Sequence, residues 1–211
     1  MLKIDNHKIQ LIADILHEAS STLTSIKPLS ETFQPLLIEE SYAVQMYNVT
    51  REIKSGRVIS GKKVGLTNKA MQEMLGVDQP DYGHLFSDMN VTNGIIELNT
   101  MLQPRVEAEI AFVLSRDLDM DRVITVEDVL DATEYVLPSL EIVDSRIKDW
   151  KIGITDTVAD NASCGLYVLG TKKTLIHDFD RFSERMDLFI NDELKGFGDG
   201  RAVLGDSAYC V

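Results

Sequence analysis

Residues 103–114 read QPRVEAEIAFVL. From Val106 onward this is the composition of a buried β-strand, rich in Val, Ile, Phe and Leu, yet two carboxylates stand inside it. Side chains at i and i+2 of a strand project from one face, so Glu107 and Glu109 are neighbours with Cα atoms about 6.5–7 Å apart. Like charges side by side on an apolar strand repel each other and are costly to desolvate. Alternation divides the strand into a face of Val106, Ala108, Ile110, Phe112 and Leu114, expected to fill a core, and a face of Glu107, Glu109, Ala111 and Val113. Spacing alone leaves two readings of the second face open. On an edge strand both carboxylates meet solvent. In a cavity holding a divalent cation, their repulsion becomes shared ligation.

Glu141 favours the cavity. It sits in VLPSLEIVDSR (136–146), another apolar strand candidate, flanked by Leu140 and Ile142. Three carboxylates suit a hard ion such as Mg²⁺ or Mn²⁺ and leave coordination positions for water and substrate. No zinc cluster competes: His7, His17, His84 and His177 are dispersed, and Cys164 and Cys210 fit no metal-ligand spacing. Lys63, in GKKVGLT, lies between apolar positions and beside glycines. It is either a surface lysine at a strand end or, pointing into the carboxylate cavity, a cationic donor for an anionic substrate or a developing enolate. Alternation sends Lys62 the other way. Asp81, in QPDYGHLF, follows a proline in an expected turn, where Asp is usually structural. DTVADNASCG (156–165) reads as a polar loop between strands that caps a turn or lines a pocket.

The rest of the chain sets the frame. Its 211 residues allow one domain with a substantial core, or one domain plus an N-terminal helical arm. Residues 6–25 place Ile9, Ile12, Ala13, Leu16, Ala19 and Leu23 on one helical stripe. IKPLSETFQP (26–35) reads as a connector. A second helix is predicted over about Ile38 to Lys54, carrying Tyr42, Met46, Val49 and Ile53 inward and closing at Gly56. Short strands and turns follow. They comprise a strand within 57–67, a short helix over 68–76, a loop over 77–89 and a strand near 95–98. A helix over 125–136 is capped by Thr125, with Asp128 in the capping-box position. Further strands lie at 136–146, 164–170 and 186–192, the last turning at Asn191-Asp192. The expected organisation is α+β, with an N-terminal helical region over 1–56 and a mixed, mostly-β body over 57–211.

Charge and composition exclude some function classes. Net charge is −13, from 34 acidic and 21 basic residues, and the densest basic stretch, KSGRVISGKK (54–63), is short. Such a field repels nucleic acid. No apolar run approaches the roughly 20 residues that span a membrane. The start, MLKIDNHKIQ, lacks a signal-peptide layout, and two cysteines without a metal spacing suit a reducing compartment, so the expected location is the cytoplasm.

GKKVGLTNKAMQEMLGVDQPDYGHLFSDM, LQPRVEAEIAFVL, VLPSLEIVDSRIKDW and DTVADNASCGLYVLG occur in this order. Together they resemble the hydratase/decarboxylase family, which comprises 2-oxopent-4-enoate (2-hydroxypenta-2,4-dienoate) hydratases and 4-oxalocrotonate decarboxylases within the fumarylacetoacetate hydrolase-like superfamily. The resemblance covers most of residues 38–211 and implies mixed β-sheets like the C-terminal domain of fumarylacetoacetate hydrolase. It places the family's E-x-E pair on Glu107 and Glu109, its third metal carboxylate on Glu141, and its K-x-G-L-T lysine on Lys63. The acid–base residue of the P-D-x-G-x-L loop falls on Asp81, and the A-D-N-A-S loop near the substrate includes Asn161 and Ser163. Trp150 and Asp156 look more like the hydratases.

The implied reaction is metal-dependent hydration of a small 2-hydroxy-dienoate by a homo-oligomer, with Mg²⁺ or Mn²⁺. The alternatives are the sister decarboxylase, or a non-catalytic member acting as a binding or assembly subunit. The resemblance runs to GRAVLGDSAYCV (200–211), where family members continue through a further helix and closing strands. It therefore implies that a C-terminal part of the family fold is missing.

Overall fold

The structure, a computed structural model, describes residues 5–69, 72–73, 76–77, 79–119 and 121–211. Helix α1 (Asn6–Thr22) starts at Asp5, whose carboxylate accepts from the amides of His7 and Lys8 at 3.0 and 3.3 Å. This satisfies donors that a helix N-terminus leaves without intrahelical partners. Ile9, Ile12, Ala13, Leu16 and Ala19 are buried along one face, as their spacing predicts. Leu23 leaves that stripe: it takes the left-handed conformation (φ 49°) that ends the helix and is 42% exposed.

The 26–35 connector contains a short helix, α2 (Leu29–Thr32), and is followed by α3 (Ile38–Lys54) with the predicted bounds. The buried face of α3 differs from expectation. Ser41, Val44, Gln45 and Val49 point inward, whereas Met46 and Ile53 are 41% and 46% exposed and Tyr42 is half-buried. Gln45, fully buried, explains the rotation: its Nε2 donates to the carbonyls of Tyr82 and Val158 at 2.9 and 3.0 Å. Two buried carbonyls need a donor there, and that need outweighs an apolar stripe one position round the helix. Ile9, Ile12, Ala13, Leu16, Leu29, Val44, Ile147 and Ala159 form the core around these helices.

Strands β1 (Ile59–Gly65) and β2 (Asp81–Phe86) pair antiparallel. The second overturns the loop expected over 77–89, and Asp81 opens a strand instead of sitting in a turn. DYGHLF lacks the apolar alternation that marks a strand locally; pairing with β1 supplies what the pattern does not. The helix expected over 68–76 lies partly outside the described residues. The strand expected near 95–98 is replaced by a short 3₁₀ turn at Leu98–Thr100, with Ile95 65% and Leu98 70% exposed.

Strand β3 (Arg105–Leu114) leads to helix α4 (Val126–Ala132), then β4 (Thr133–Val143), helix α5 (Ile154–Ala159), β5 (Cys164–Leu169) and β6 (Thr174–Leu175). The sheet order is β3-β4-β5, with β6 antiparallel to β4. Thr125 and Asp128 make the predicted capping box: the Asp128 carboxylate accepts from the Thr125 amide at 2.9 Å, and the Asp128 amide donates to the Thr125 hydroxyl at 3.3 Å. The apolar face of β3 does not fill a core as expected: Val106, Ala108, Ile110 and Phe112 are half-buried and Leu114 is exposed. Helix α5 occupies part of the stretch expected as the 156–165 loop. Strands β7 (Arg185–Ile190) and β8 (Glu193–Asp199) form the predicted hairpin. Asn191 and Asp192 at its tip both have positive φ, as the favoured two-residue turn requires.

The chain divides into two compact units, one of Met1–Gly65, Pro80–Val106 and Ile142–Tyr167, the other of Leu66–Gln79, Glu107–Glu141 and Val168–Val211. The N-terminal helices share a unit with β1 and β2. Among the described residues, no helix is long and apolar enough to cross a membrane.

The two faces of α3 are distinguished by substitution. Gln45→Leu strands two buried carbonyls and is expected to cost about 2–4 kcal/mol. Met46→Gln, on the exposed side, is expected to stay within about 0.5 kcal/mol. Urea denaturation midpoints of the two variants read the difference.

Candidate active site

Register on the β1–β2 ribbon decides which side chains meet. Lys63 pairs with Gly83 and Gly65 with Asp81, so Lys63 and Asp81 lie diagonally on one face, each opposite a glycine. Lys62 pairs with His84 on the other face, its ammonium 4.9 Å from the Tyr82 ring centre. Lys63, and not Lys62, therefore keeps company with Asp81. A Cβ on Gly65 would collide with Oδ1 of Asp81 and lie 3.3 Å from Nζ of Lys63. Only glycine lets the acid and the ammonium crowd the same side of that backbone. Nζ of Lys63 donates to the carbonyl of Ala162 at 2.9 Å.

Asp81 is 3% exposed, and its Oδ1 has no hydrogen-bond partner among the described residues. Burial raises its pKa above the ordinary carboxylate range; the Lys63 charge and hydrogen bonds from the Thr157 hydroxyl and the Gly65 amide pull the other way. The same burial, and then the Asp81 charge, raise the Tyr42 phenol, whose ring stacks on Tyr82 at 4.8 Å. Spacing gave no signal for Thr157 or Tyr42, because both reach Asp81 through tertiary packing.

The stretch after α5 has an unusual backbone. Asn161, Ala162 and Ser163 have φ of 53°, 51° and 55°, three left-handed residues in a row without a glycine. Each such residue costs about 1–2 kcal/mol, so the surroundings must hold the turn. The Asn161 amide locks onto β2: Oδ1 accepts from the His84 N–H at 2.8 Å and Nδ2 donates to the His84 carbonyl at 2.9 Å. Ser163 is 3% exposed, with its hydroxyl 3.4 Å from that of Thr157. Both side chains, expected beside substrate, are engaged by the scaffold of the turn. Trp150 and Asp156 are also anchors. Trp150 Nε1 donates to the Gln103 carbonyl at 2.9 Å, and Asp156 accepts from the Ser30 amide and hydroxyl and from the Gly153 amide at 3.0, 2.7 and 2.8 Å.

In the second unit, Glu107, Glu109 and Glu141 each offer a carboxylate oxygen, all within 4.8 Å of one another. Hard divalent cations take such oxygens at about 2.0–2.6 Å. The donor set, all oxygen and all anionic, fits a hard divalent cation. Burial is graded, from exposed Glu107 through half-buried Glu109 to buried Glu141, so the cluster opens to solvent at Glu107. The Cys210 thiol is pushed up to about 11 by burial and by the negative charges of Asp206 and Glu109.

No family model matches the chain. It is 46% identical to 2-keto-4-pentenoate hydratase 1 of Dechloromonas aromatica over 194 residues, 92% of this chain and 73% of that protein. The chain belongs to the 2-keto-4-pentenoate hydratase family. A second hydratase of this family, the 2-hydroxypent-2,4-dienoate hydratase of Pseudomonas putida, is 41% identical over 99% of this chain and 94% of its own length. The match thus spans about three quarters of the first relative's length and nearly all of the second's. The solved 4-oxalocrotonate decarboxylase from Pseudomonas putida G7, complexed with magnesium and adipate, superposes with a TM-score of 0.89 at 28% identity. The match covers 98% of this chain and 78% of that one. Helices and antiparallel sheets arranged as in a fumarylacetoacetate hydrolase-like enzyme are therefore the fold of this hydratase-family chain.

Asp81 should leave a mark on stability. Because its folded-state pKa lies above the unfolded value of about 3.8, the folded protein holds that proton more tightly. The contribution is fully present below the unfolded pKa and is lost as pH rises through the folded one. Urea titrations of wild type over a pH series are expected to show this decline, and Asp81→Asn to flatten it.

Proposed function

We propose that this protein is a divalent-metal-dependent hydratase that adds water to 2-hydroxypenta-2,4-dienoate (2-oxopent-4-enoate), giving 4-hydroxy-2-oxopentanoate in aromatic catabolism. The observation that carries this reading is the convergence of the Glu107, Glu109 and Glu141 carboxylates within 4.8 Å, in a chain belonging to a hydratase family. These residues would hold Mg²⁺ or Mn²⁺; the related decarboxylase is complexed with magnesium. A divalent ion held there would supply Lewis acidity to anionic oxygens of the substrate.

The remaining work falls to the chain's own groups. Lys63 offers its Nζ ammonium as a donor to negative charge that develops during the enol–keto conversion. Asp81 holds a proton at Oδ1, the oxygen without a partner, and exchanges it with the dienoate carbon skeleton. Its raised pKa keeps that proton available at a higher pH than an exposed aspartate would. Asn161 and Ser163 serve by fixing the turn that carries the Ala162 carbonyl to Lys63. The same reading places the enzyme in the cytoplasm as a homo-oligomer.

The likeness to a 4-oxalocrotonate decarboxylase supports a second reading, in which the keto acid loses CO₂. CO₂ release from 2-oxo-hexenedioate is its readout. For the hydratase, loss of dienoate absorbance is expected only with Mg²⁺ or Mn²⁺. Glu109→Gln is expected to lower the metal-stimulated rate by at least about 100-fold, and Lys63→Met to lower kcat by about 10²–10³-fold. Full wild-type turnover in excess EDTA would overturn the metal-dependent reading.

A further inference from the structure

Every carbonyl of the left-handed turn has a partner among the described residues. The Asp160 carbonyl accepts from Nη2 of Arg146 at 2.7 Å, and that of Cys164 from Nη1 of Arg146 at 3.0 Å. The Ser163 carbonyl accepts from the Asp144 amide at 2.8 Å, and the Asn161 carbonyl from the Cys164 amide. Ala162, in the middle, gives its carbonyl to Lys63. The Arg146 guanidinium therefore bridges both ends of the strained turn. It is fixed in turn by Asp160, whose side chain is 2% exposed: Oδ1 accepts from Arg146 Nε, and Oδ2 accepts from the Arg146 amide at 2.9 Å.

We infer that Arg146, clamped by Asp160, is a positioning residue for Lys63: it holds the left-handed turn whose Ala162 carbonyl fixes the Lys63 ammonium. The inference rests on the reading of Lys63 as a working group of the hydratase. The planar guanidinium is what the task requires, because one side chain must meet a carboxylate and two carbonyls at once. A lysine would keep the charge next to Asp160 but not the span from residue 160 to residue 164. Three left-handed non-glycine residues would then relax toward ordinary backbone, carrying the Ala162 carbonyl away from Lys63.

The test compares Arg146→Lys, Ala162→Gly and the double variant, each checked for folding by circular dichroism. Arg146→Lys is expected to lower kcat at least about 10-fold through misplacement of Lys63, with a changed pH–kcat profile. Acetylation of Lys63 by acetic anhydride, followed by mass spectrometry, is expected to speed up several-fold as the ammonium loses its anchor. Glycine adopts the left-handed conformation without strain. Adding Ala162→Gly to Arg146→Lys is therefore expected to recover most of kcat and slow the labelling again, which a purely structural charge pair would not do. Wild-type kcat and labelling in Arg146→Lys, or losses that glycine leaves unchanged, would overturn the inference.

If Arg146→Lys folds only with Ala162→Gly present, the holding role is supported; if it folds in neither background, the inference fails. If wild type never consumes the dienoate while the variants show the labelling response, the hydratase reading fails and the hold of Arg146 on Lys63 stands.

Discussion

Three carboxylate oxygens within 4.8 Å of one another carry a repulsion that no arrangement of apolar strands relieves. Glu109 is half-buried and Glu141 buried, so water screens them only in part. A divalent cation would convert that cost into ligation, and an all-oxygen donor set suits a hard ion. Strand geometry makes the cluster cheap to build. Two carboxylates come from one face of β3 at the i, i+2 spacing, and the neighbouring β4 brings the third.

The other cluster follows a different principle, close approach. Gly65 and Gly83 remove side chains opposite Asp81 and Lys63, and a left-handed turn brings a backbone carbonyl to the ammonium. Both devices spend local stability: glycine loosens a strand, and left-handed residues are strained. Compensation comes from polar groups tied to backbone, Gln45 under β2, Asn161 on His84 and Arg146 across the turn. This part of the protein is organised around hydrogen-bonding demands as much as around its apolar core.

What the sequence disclosed follows the same division. Periodicity locates α1 and α3, and runs of apolar and β-branched residues give the strand character of β3, β4, β5 and β7, because these signals are local. The Thr125–Asp128 box and the Asn191-Asp192 turn were legible because their chemistry is local. The buried face of α3 was misread, since Gln45 faces inward to serve two carbonyls that are distant in sequence. DYGHLF looked like a loop because its glycine and charged residue serve the Lys63–Asp81 arrangement rather than strand propensity. Spacing raises the question of the glutamates, resemblance implies a role for them, and the coordinates bring their oxygens together. Nothing local pointed to Arg146, whose partners are gathered by a turn that non-glycine residues rarely adopt.

The account stands or falls on the metal seat. Mn²⁺ titration followed by electron paramagnetic resonance measures it directly, without reference to turnover. One bound ion per chain is expected in wild type, with binding lost or greatly weakened in both Glu107→Gln and Glu141→Gln while the fold is kept. Mn²⁺ binding of wild-type strength and stoichiometry in those folded variants, or no binding by the wild type, would contradict it.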